Sequence, residues 1–254
     1  MSQNGKGAGG DRGDLQALVA GAAALGLALD GARVERFARY RDLLLDWNTR
    51  VNLTAITDPA EVVTRHFLDA LTCLLGVPAE WRSRELRLID VGSGAGFPGL
   101  PLALVLPEWR VTVLEATGKK VRFLDAVLRD LGLTNVQTVT GRAEEVAHAA
   151  AHRGAYEVVT ARAVAALPTL LEYCAPFARL GGRLILPKKG DLAAELTAGE
   201  RAAPLLGARL LNAVLVTVPP LDDGRVLLLA HQERSCPPHY PRAAGAPVKR
   251  PLGS

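Results

Sequence analysis

The chain has 254 residues, of which 49% are hydrophobic and 22% charged, so it can fill a substantial core as one large domain or one domain with an extension. Its three widely separated cysteines exclude a disulfide framework, and neither they nor the five histidines have the spacing of a dedicated zinc site. A formal charge of +4 does not indicate a nucleic-acid-binding protein unless it is concentrated in one place.

The first predicted elements are helices behind a glycine-rich leader. Residues 1–13 contain five glycines and no apolar period, which predicts disorder. The uncharged run 15–29 is shorter than the ~18 apolar residues of a membrane span and follows acidic residues, so we interpret it as a packed helix. Apolar spacing predicts a helix over about 31–50, and Asp58-Pro59-Ala60-Glu61 is typical of a third helix start. Residues 14–80 are therefore predicted to be a helical region packed on the core.

From residue 81 the pattern changes to short apolar runs separated by helical segments. Predicted strands are 86–91, 111–115, 135–139, 157–160 and 183–186; predicted helices are about 97–106, 118–131, 143–151, 164–179 and 190–206. This alternation predicts a parallel sheet covered on both faces. Only a turn separates the next two runs, 209–218 and 225–231, so the last strand is expected to be antiparallel. The outline is that of a methyltransferase-type sheet over residues 81–233, followed by a basic, proline-rich tail at 234–254.

A glycine-rich turn between a buried strand and a helix is the strongest sequence signal. The stretch Asp90-Val91-Gly92-Ser93-Gly94-Ala95-Gly96-Phe97-Pro98-Gly99 places three alternating glycines after the first strand. Glycine permits positive φ and close approach, so a ligand can lie against the main chain there. The pattern Gly92-x-Gly94-x-Gly96 suits S-adenosylmethionine, whereas Gly94-x-Gly96-x-x-Gly99 satisfies the dinucleotide fingerprint. The motif alone leaves both cofactors open.

Three other strand ends carry candidate binding groups. Glu115 ends the second strand, where a carboxylate accepts hydrogen bonds from the ribose of either cofactor. The third strand ends at 141–144, where methyltransferases contact adenine, although acidic residues also favour a helix start. Lys188 and Lys189 follow the fifth strand as candidates to hold RNA phosphates, with solvated lysines as the alternative.

The end of the fourth strand, Thr160-Ala161-Arg162-Ala163, bears on the chemistry. It lacks the Asn/Asp-Pro-Pro-aromatic motif of amine methylation, the Pro-Cys nucleophile of cytosine C5 methylation and the clustered acids of metal-dependent O-methylation. What remains is Arg162, a fixed planar cation, with an ordinary ion pair as the alternative. A purine N7 has an exposed lone pair and no proton to lose, so a positioning arginine without a general base fits its methylation. His66 and Asp69, at i and i+3 on one helix, are interpreted as a hydrogen-bonded structural pair.

Together these segments resemble the bacterial 16S rRNA guanine-N7 methyltransferase G family, formerly called glucose-inhibited division protein B. The similar segments are Asn52-Leu53-Thr54-Ala55-Ile56, Arg65-His66-Phe67-Leu68-Asp69, the 90–99 turn, Thr160-Ala161-Arg162-Ala163, and the tail from Tyr240-Pro241-Arg242 to Lys249-Arg250-Pro251-Leu252. The resemblance covers about residues 30–252.

The resemblance implies an α/β, Rossmann-like class I methyltransferase fold, with a mostly parallel sheet, an antiparallel last strand and a preceding helical region. It implies S-adenosylmethionine as the cofactor and one guanine in the decoding region of 16S rRNA as the substrate. In the family, loss of this activity is linked to low-level streptomycin resistance. With the glycines of the turn, the cofactor contacts it implies are Gly92, Gly94, Gly96, Phe97, Glu115, Ala116, Thr117, Ala143, Glu144 and Arg162.

We therefore expect N7-methylation of one guanine by direct in-line transfer, without a metal or a covalent intermediate and with Arg162 as a positioning residue. The alternatives are an NAD(P)-dependent oxidoreductase and a non-catalytic RNA-binding or assembly factor with a vestigial cofactor site. The expected partner is 16S rRNA, free or in the 30S subunit or an assembly intermediate. The chain is expected to be a cytoplasmic monomer that binds no membrane.

The net charge of +4 is concentrated in the tail. Residues 234–254 hold Arg234, Arg242, Lys249 and Arg250 and no acidic residue, so the formal net charge of the rest of the chain is zero. We expect RNA contacts at Lys188, Lys189, Arg242, Lys249 and Arg250. If the four cations of the tail neutralise four RNA phosphates, the logarithm of the binding constant falls with the logarithm of salt concentration with a slope of roughly −3. Deleting the tail is expected to weaken rRNA binding and to spare cofactor binding.

Overall fold

The computed structural model describes residues 13–253, in ten α-helices and eight strands. The helices are α1 Gly13–Ala24, α2 Gly31–Asn48, α3 Pro59–Val62, α4 Asp69–Thr72, α5 Gly99–Val105, α6 Gly118–Leu131, α7 Ala143–Val146, α8 Leu167–Cys174, α9 Ala193–Leu205 and α10 Ala246–Lys249. The strands are β1 Leu86–Val91, β2 Trp109–Glu115, β3 Val136–Thr140, β4 Tyr156–Thr160, β5 Ala178–Lys188, β6 Ala208–Leu210, β7 Val214–Leu215 and β8 Val226–Gln232. Apart from Gly13, the predicted leader lies outside the described residues.

The helical region forms where its capping residues predict. Asp30 caps α2 by accepting the Arg33 N–H, and Asp58 caps α3 by accepting the Glu61 N–H, with Pro59 at the first helical position. The third predicted helix is not uniform, however. A π-helical turn, Val63–Leu68, separates α3 from α4, and it carries His66 toward the carboxyl edge of the sheet. Apolar spacing does not distinguish such a widened turn from regular α-helix.

The sheet order is β3-β2-β1-β4-β5-β8-β6, with β7 also paired to β8. Strands β1 to β5 pair in parallel, and β8 runs antiparallel to β5 and β6, so the predicted antiparallel last strand is confirmed. The predicted strand 209–218 is wrong as one element. Its two parts, β6 and β7, pair with β8 in registers that differ by one residue, so a bulge divides them.

Helices cover both faces of the sheet, as the alternation predicts. Because neighbouring side chains on a strand point to opposite faces, Leu88 belongs to the apolar core that also holds residues of α1, α2, α5 and α6, whereas Ile89 belongs to the core that holds residues of α8 and α9. Two of the predicted helices, 143–151 and 164–179, are shorter in the structure, as α7 and α8. Within residues 13–253, no helix is long and apolar enough to cross a membrane.

The carboxyl-terminal segment, residues 234–253, packs on the side of the sheet that α8 and α9 cover. The Arg153 guanidinium donates hydrogen bonds to the carbonyls of Cys236, Pro237 and Tyr240 at 2.8 to 3.0 Å. Pro247 is buried, and its carbonyl accepts from the Thr169 hydroxyl at 3.0 Å. The segment is therefore held as part of the fold, and its deletion would expose the surface beneath it as well as remove charge.

Candidate functional site

The glycine-rich turn after β1 has the conformation for which glycine is required. Gly92 and Gly96 have φ of +71° and +95°. A Cβ at Gly96 would lie 2.5 Å from the Tyr40 hydroxyl, so any side chain there would force the Tyr40 side chain to move. The buried Asp90 accepts the Gly99 N–H at 2.9 Å and so fixes the turn to the start of α5. Burial raises the pKa of Asp90 to about 6, although its hydrogen bonds act in the opposite direction.

This turn lines a cavity of about 530 Å³ at the carboxyl ends of β1 to β4. Its size is that of a small-molecule site, and its place is where open α/β sheets bind ligands. Eight of the ten predicted cofactor residues line it: Gly92, Gly94, Phe97, Glu115, Ala116, Ala143, Glu144 and Arg162. The other two, Gly96 and Thr117, lie behind its wall, where Gly96 faces Tyr40 and the Thr117 N–H is bound by Glu115.

Glu115 is fixed between two strand ends with its carboxylate at the cavity. One oxygen accepts the Gly94 N–H at 3.0 Å and the other accepts the Thr117 N–H at 2.8 Å. Each carboxylate oxygen has two lone pairs, so each keeps one for a ligand. The carboxylate is buried and keeps two free lone pairs, which suits it to accept hydrogen bonds from the two hydroxyls of a ribose.

The opposite wall of the cavity is formed by α7 and α8, and the carboxyl-terminal segment lies behind it. Glu144, in the first turn of α7, is nearly buried and accepts the Gly245 N–H at 3.1 Å. Tyr173 of α8 lies beside it, and burial, with Glu144 adding, raises the pKa of this phenol. Because Gly245 contacts a residue that lines the cavity, removal of residues 234–253 would alter the cavity too. The expectation that tail deletion spares cofactor binding therefore loses its basis.

Arg162, at the end of β4, is the centre of a cluster at the other end of the cavity. Its guanidinium lies 2.6 Å from Asp69 Oδ2 and donates toward His66 Nδ1 at 3.1 Å. It also lies over the Phe97 ring, at 5.0 Å from the centroid, and the His66 ring stacks on the same phenylalanine. The predicted hydrogen bond between His66 and Asp69 is wrong, because both residues bind Arg162, which lies between them.

Each cation of this cluster has a carboxylate partner inside the protein. Asp69 pairs with both Arg162 and Arg225, and all three side chains are largely buried. Burial, followed by the positive charge of Arg162, lowers the pKa of His66 to about 4, so the imidazole is neutral at neutral pH. Ala163, next in the chain, has a left-handed φ of 56°, a strained conformation of the kind that clusters at functional sites.

A second cavity, of about 430 Å³, adjoins the first and shares Arg162 and Ala163 with it. Lys188 and Lys189 both line it. Lys188 Nζ lies 2.7 Å from Glu195 and is mostly buried, whereas Lys189 is exposed and pairs with Asp223. Among residues 13–253, no three His, Cys, Asp or Glu side chains are grouped as a metal site.

The three basic residues predicted in the tail have different surroundings. The Arg242 guanidinium forms a bidentate ion pair with Glu172, whose side chain is fully buried. Lys249 and Arg250 are exposed at the end of α10 and just beyond it. The sequence analysis predicts the same RNA-binding role for all three cations, but in the structure Arg242 neutralises a buried carboxylate.

The residues present fit S-adenosylmethionine. Glu115 offers its carboxylate to a ribose, the 92–94 backbone allows close approach, and the first turn of α7 closes the wall at which adenine is expected. Sequence reasoning found these groups from the strand ends. Thr54 stood only in a motif and His66 only in a motif and in the pair predicted with Asp69; both line the cavity, and their place there depends on the fold.

The chain is similar to known proteins along most of its length. It is 46% identical over 238 residues to the ribosomal RNA small subunit methyltransferase G of Roseiflexus sp. strain RS-1, covering 94% of this chain and all of the relative. It is 47% identical over 227 residues to that of Roseiflexus castenholzii, covering 89% and 95%. Among solved structures, MtNAS in complex with MTA and tNA matches with a TM-score of 0.52 and 19% identity, over 81% of this chain and 74% of that one.

A Methanococcus jannaschii fibrillarin pre-rRNA processing protein matches with a TM-score of 0.50 and 16% identity, over 65% of this chain and 74% of that one. At such identities these structures show the fold alone, which is the Rossmann-like class I methyltransferase fold. The model of the GidB family, described as rRNA small subunit methyltransferase G, matches residues 33–219. Since that match spans most of the chain and the relatives are more than 40% identical to it, the chain belongs to the rRNA small subunit methyltransferase G family.

Proposed function

We propose that this protein transfers a methyl group from S-adenosylmethionine to N7 of one guanine in 16S rRNA. The observation that carries the proposal is the family match over residues 33–219, which includes every residue lining the cofactor cavity. The glycine motif is compatible with a dinucleotide as well, and the family match favours the methyl donor over it. The guanine and its N7 come from the family that the sequence resembles.

The chain's own residues bind and orient the two reactants. When bound, S-adenosylmethionine supplies an electrophilic methyl group on a sulfonium sulfur. Glu115, fixed by two backbone N–H groups, holds the ribose, and the first turn of α7 closes the cavity around the base. Arg162 and Ala163 lie in the wall shared by both cavities, so the target nucleotide enters through the second one.

The titratable groups near Arg162 suit a reaction that needs no general base. Arg162 is held by Asp69, and both nitrogens of the neutral His66 are already in hydrogen bonds. Guanine N7 has a lone pair and no proton, so alignment alone can lower the barrier by ~7–11 kcal/mol. None of the described residues that line the cavity is a cysteine, which fits direct transfer without a covalent enzyme intermediate.

The rRNA partner is further proposed to be the 30S subunit or an assembly intermediate, bound in the cytoplasm by a monomer. The exposed cations Lys189, Lys249 and Arg250 are the strongest candidates for its phosphates. Lys188 and Arg242 remain proposed contacts, but each is first engaged by an internal carboxylate.

The test is transfer of a tritiated methyl group from S-adenosylmethionine to 30S subunits and to free 16S rRNA, both from a strain lacking this gene. The modified nucleotide is then mapped by mass spectrometry. We expect one N7-methylguanosine per 16S rRNA and none with a Glu115→Ala variant. Cofactor binding without transfer to either substrate would favour a non-catalytic assembly factor, and transfer to another atom would refute the N7 assignment.

A further inference from the structure

The Thr54 hydroxyl lies in the wall of the cofactor cavity with both of its lone pairs occupied. Thr54 Oγ1 is 2.8 Å from His66 Nε2 and accepts the Ile56 N–H at 3.0 Å. A threonine hydroxyl has two lone pairs and one proton. If the imidazole donates, both lone pairs are used, and the proton is all that Thr54 can offer to a ligand.

The direction of the His66 bond follows from its other neighbour. A guanidinium has donors and no acceptor, so His66 Nδ1, at 3.1 Å from an Arg162 nitrogen, must accept. The single proton of the neutral imidazole is therefore on Nε2 and is donated to Thr54. Asp69 fixes Arg162 by an ion pair of 2.6 Å, so Asp69, Arg162 and His66 together set the polarity of the Thr54 hydroxyl.

Thr54 lines the cofactor cavity close to the residues that the two cavities share. Its partner His66 contacts Arg162, one of the residues shared by the two cavities. The ribose-binding Glu115 belongs to the other part of the cavity wall, at the ends of β1 and β2. A donor beside the shared wall can reach a base that enters from the second cavity, and a purine carries its own hydrogen-bonding group beside N7.

We propose that the Thr54 hydroxyl donates a hydrogen bond to O6 of the target purine and thereby selects guanine over adenine. This inference rests on the proposed function. Guanine presents the acceptor O6 beside N7, whereas adenine presents an amino donor at that position. A hydroxyl whose lone pairs are filled cannot accept from that amine, so adenine places donor against donor.

The test compares Thr54→Val, Thr54→Ser and a matched control, Thr64→Val, whose hydroxyl bonds the Ala60 carbonyl outside the cavity. The substrates are 30S particles reconstituted with 16S rRNA that carries guanine or 2-aminopurine, which lacks O6, at the target position. We expect Thr54→Val to lower kcat/KM on guanine about 10-fold, the value of one hydrogen bond. Thr54→Ser and Thr64→Val should stay near the wild-type rate.

Two further readouts separate this role from others. The wild type should lose about 10-fold on 2-aminopurine, and Thr54→Val should treat both bases alike. All variants should bind S-adenosylhomocysteine as the wild type does, in calorimetric titration. Weaker binding of S-adenosylhomocysteine by Thr54→Val would assign the hydroxyl to the cofactor and overturn the inference. An undiminished rate of the wild-type protein on 2-aminopurine would overturn it as well, and this measurement requires no variant. Absence of wild-type transfer to guanine would instead refute the proposed function.

Discussion

Replacement of Arg242 by alanine tests whether this cation stabilises the fold or binds RNA. Glu172, on α8, is completely buried, and its carboxylate accepts the Arg242 backbone N–H at 2.8 Å, Nε at 2.9 Å and a terminal nitrogen at 2.6 Å. Alanine keeps the backbone bond and removes the other two together with the positive charge. A buried carboxylate is then left without its counter-charge.

Removal of one partner of a buried ion pair costs ~3–5 kcal/mol. The Arg242 side chain is 27% exposed, so water reaches its side of the pair, and we expect the lower end, about 3 kcal/mol. The chain offers a matched control in Arg209, which pairs with Glu233 at the surface with side chains 57% and 44% exposed. Arg209→Ala should cost less than about 1 kcal/mol.

The assay is urea unfolding of the wild type, both single variants and the double variant Glu172→Gln/Arg242→Ala. The double variant should recover part of the loss, because a neutral amide is less costly to bury than a carboxylate. Destabilisation by Arg242→Ala of under about 1 kcal/mol, as for an exposed pair, would refute this reasoning. If rRNA affinity fell at the same time, Arg242 would be an RNA contact.

Three other variants test the cofactor site, the glycine turn and the RNA contacts. Glu115→Gln places an amide NH₂ against a backbone N–H, so S-adenosylhomocysteine affinity should fall about 10- to 100-fold by calorimetry; a change under about threefold contradicts this. Because the folded-state pKa of Asp90 is raised to about 6, its carboxyl group binds a proton in the folded protein that the unfolded chain releases, and its contribution to wild-type stability falls as pH rises from about 4 to 6. Asp90→Asn should remove this contribution, so the stability of the variant relative to the wild type rises by about 3 kcal/mol over that range in urea unfolding; a pH-independent difference contradicts it. The double variant Lys249→Ala/Arg250→Ala should reduce the salt slope of rRNA binding by about 1 per residue with unchanged unfolding, and an unchanged slope places both cations away from RNA.

Local patterns predicted the elements that local physics determines. The strand Leu86–Val91 and the helix Gly118–Leu131 have the predicted bounds, because apolar runs between turn residues determine both. The Asp58 cap was equally predictable, since the carboxylate and the N–H it accepts are three residues apart. The glycine turn and Glu115 were found because the carboxyl ends of parallel strands meet at one edge of a sheet.

The partners of charged side chains were not predictable, because they are distant in sequence. Arg162 meets Asp69 and Arg242 meets Glu172 only when α4 and α8 are packed beside β4 and the carboxyl-terminal segment. Charge counting therefore located the net charge correctly and could not tell which cations were already neutralised. The role inferred for Thr54 depends on contacts with His66 and Ile56 that spacing does not reveal.

The contact between Gly245 and Glu144 has a genetic consequence. A ribosome synthesises residues 1–233 before it adds the residues that cover Glu172 and donate a hydrogen bond to Glu144. A stop codon shortly before position 240 would thus remove Arg242 and Gly245, leaving the buried Glu172 carboxylate without its counter-charge and Glu144 without the N–H that it accepts. We expect such late nonsense alleles to be as inactive as early ones.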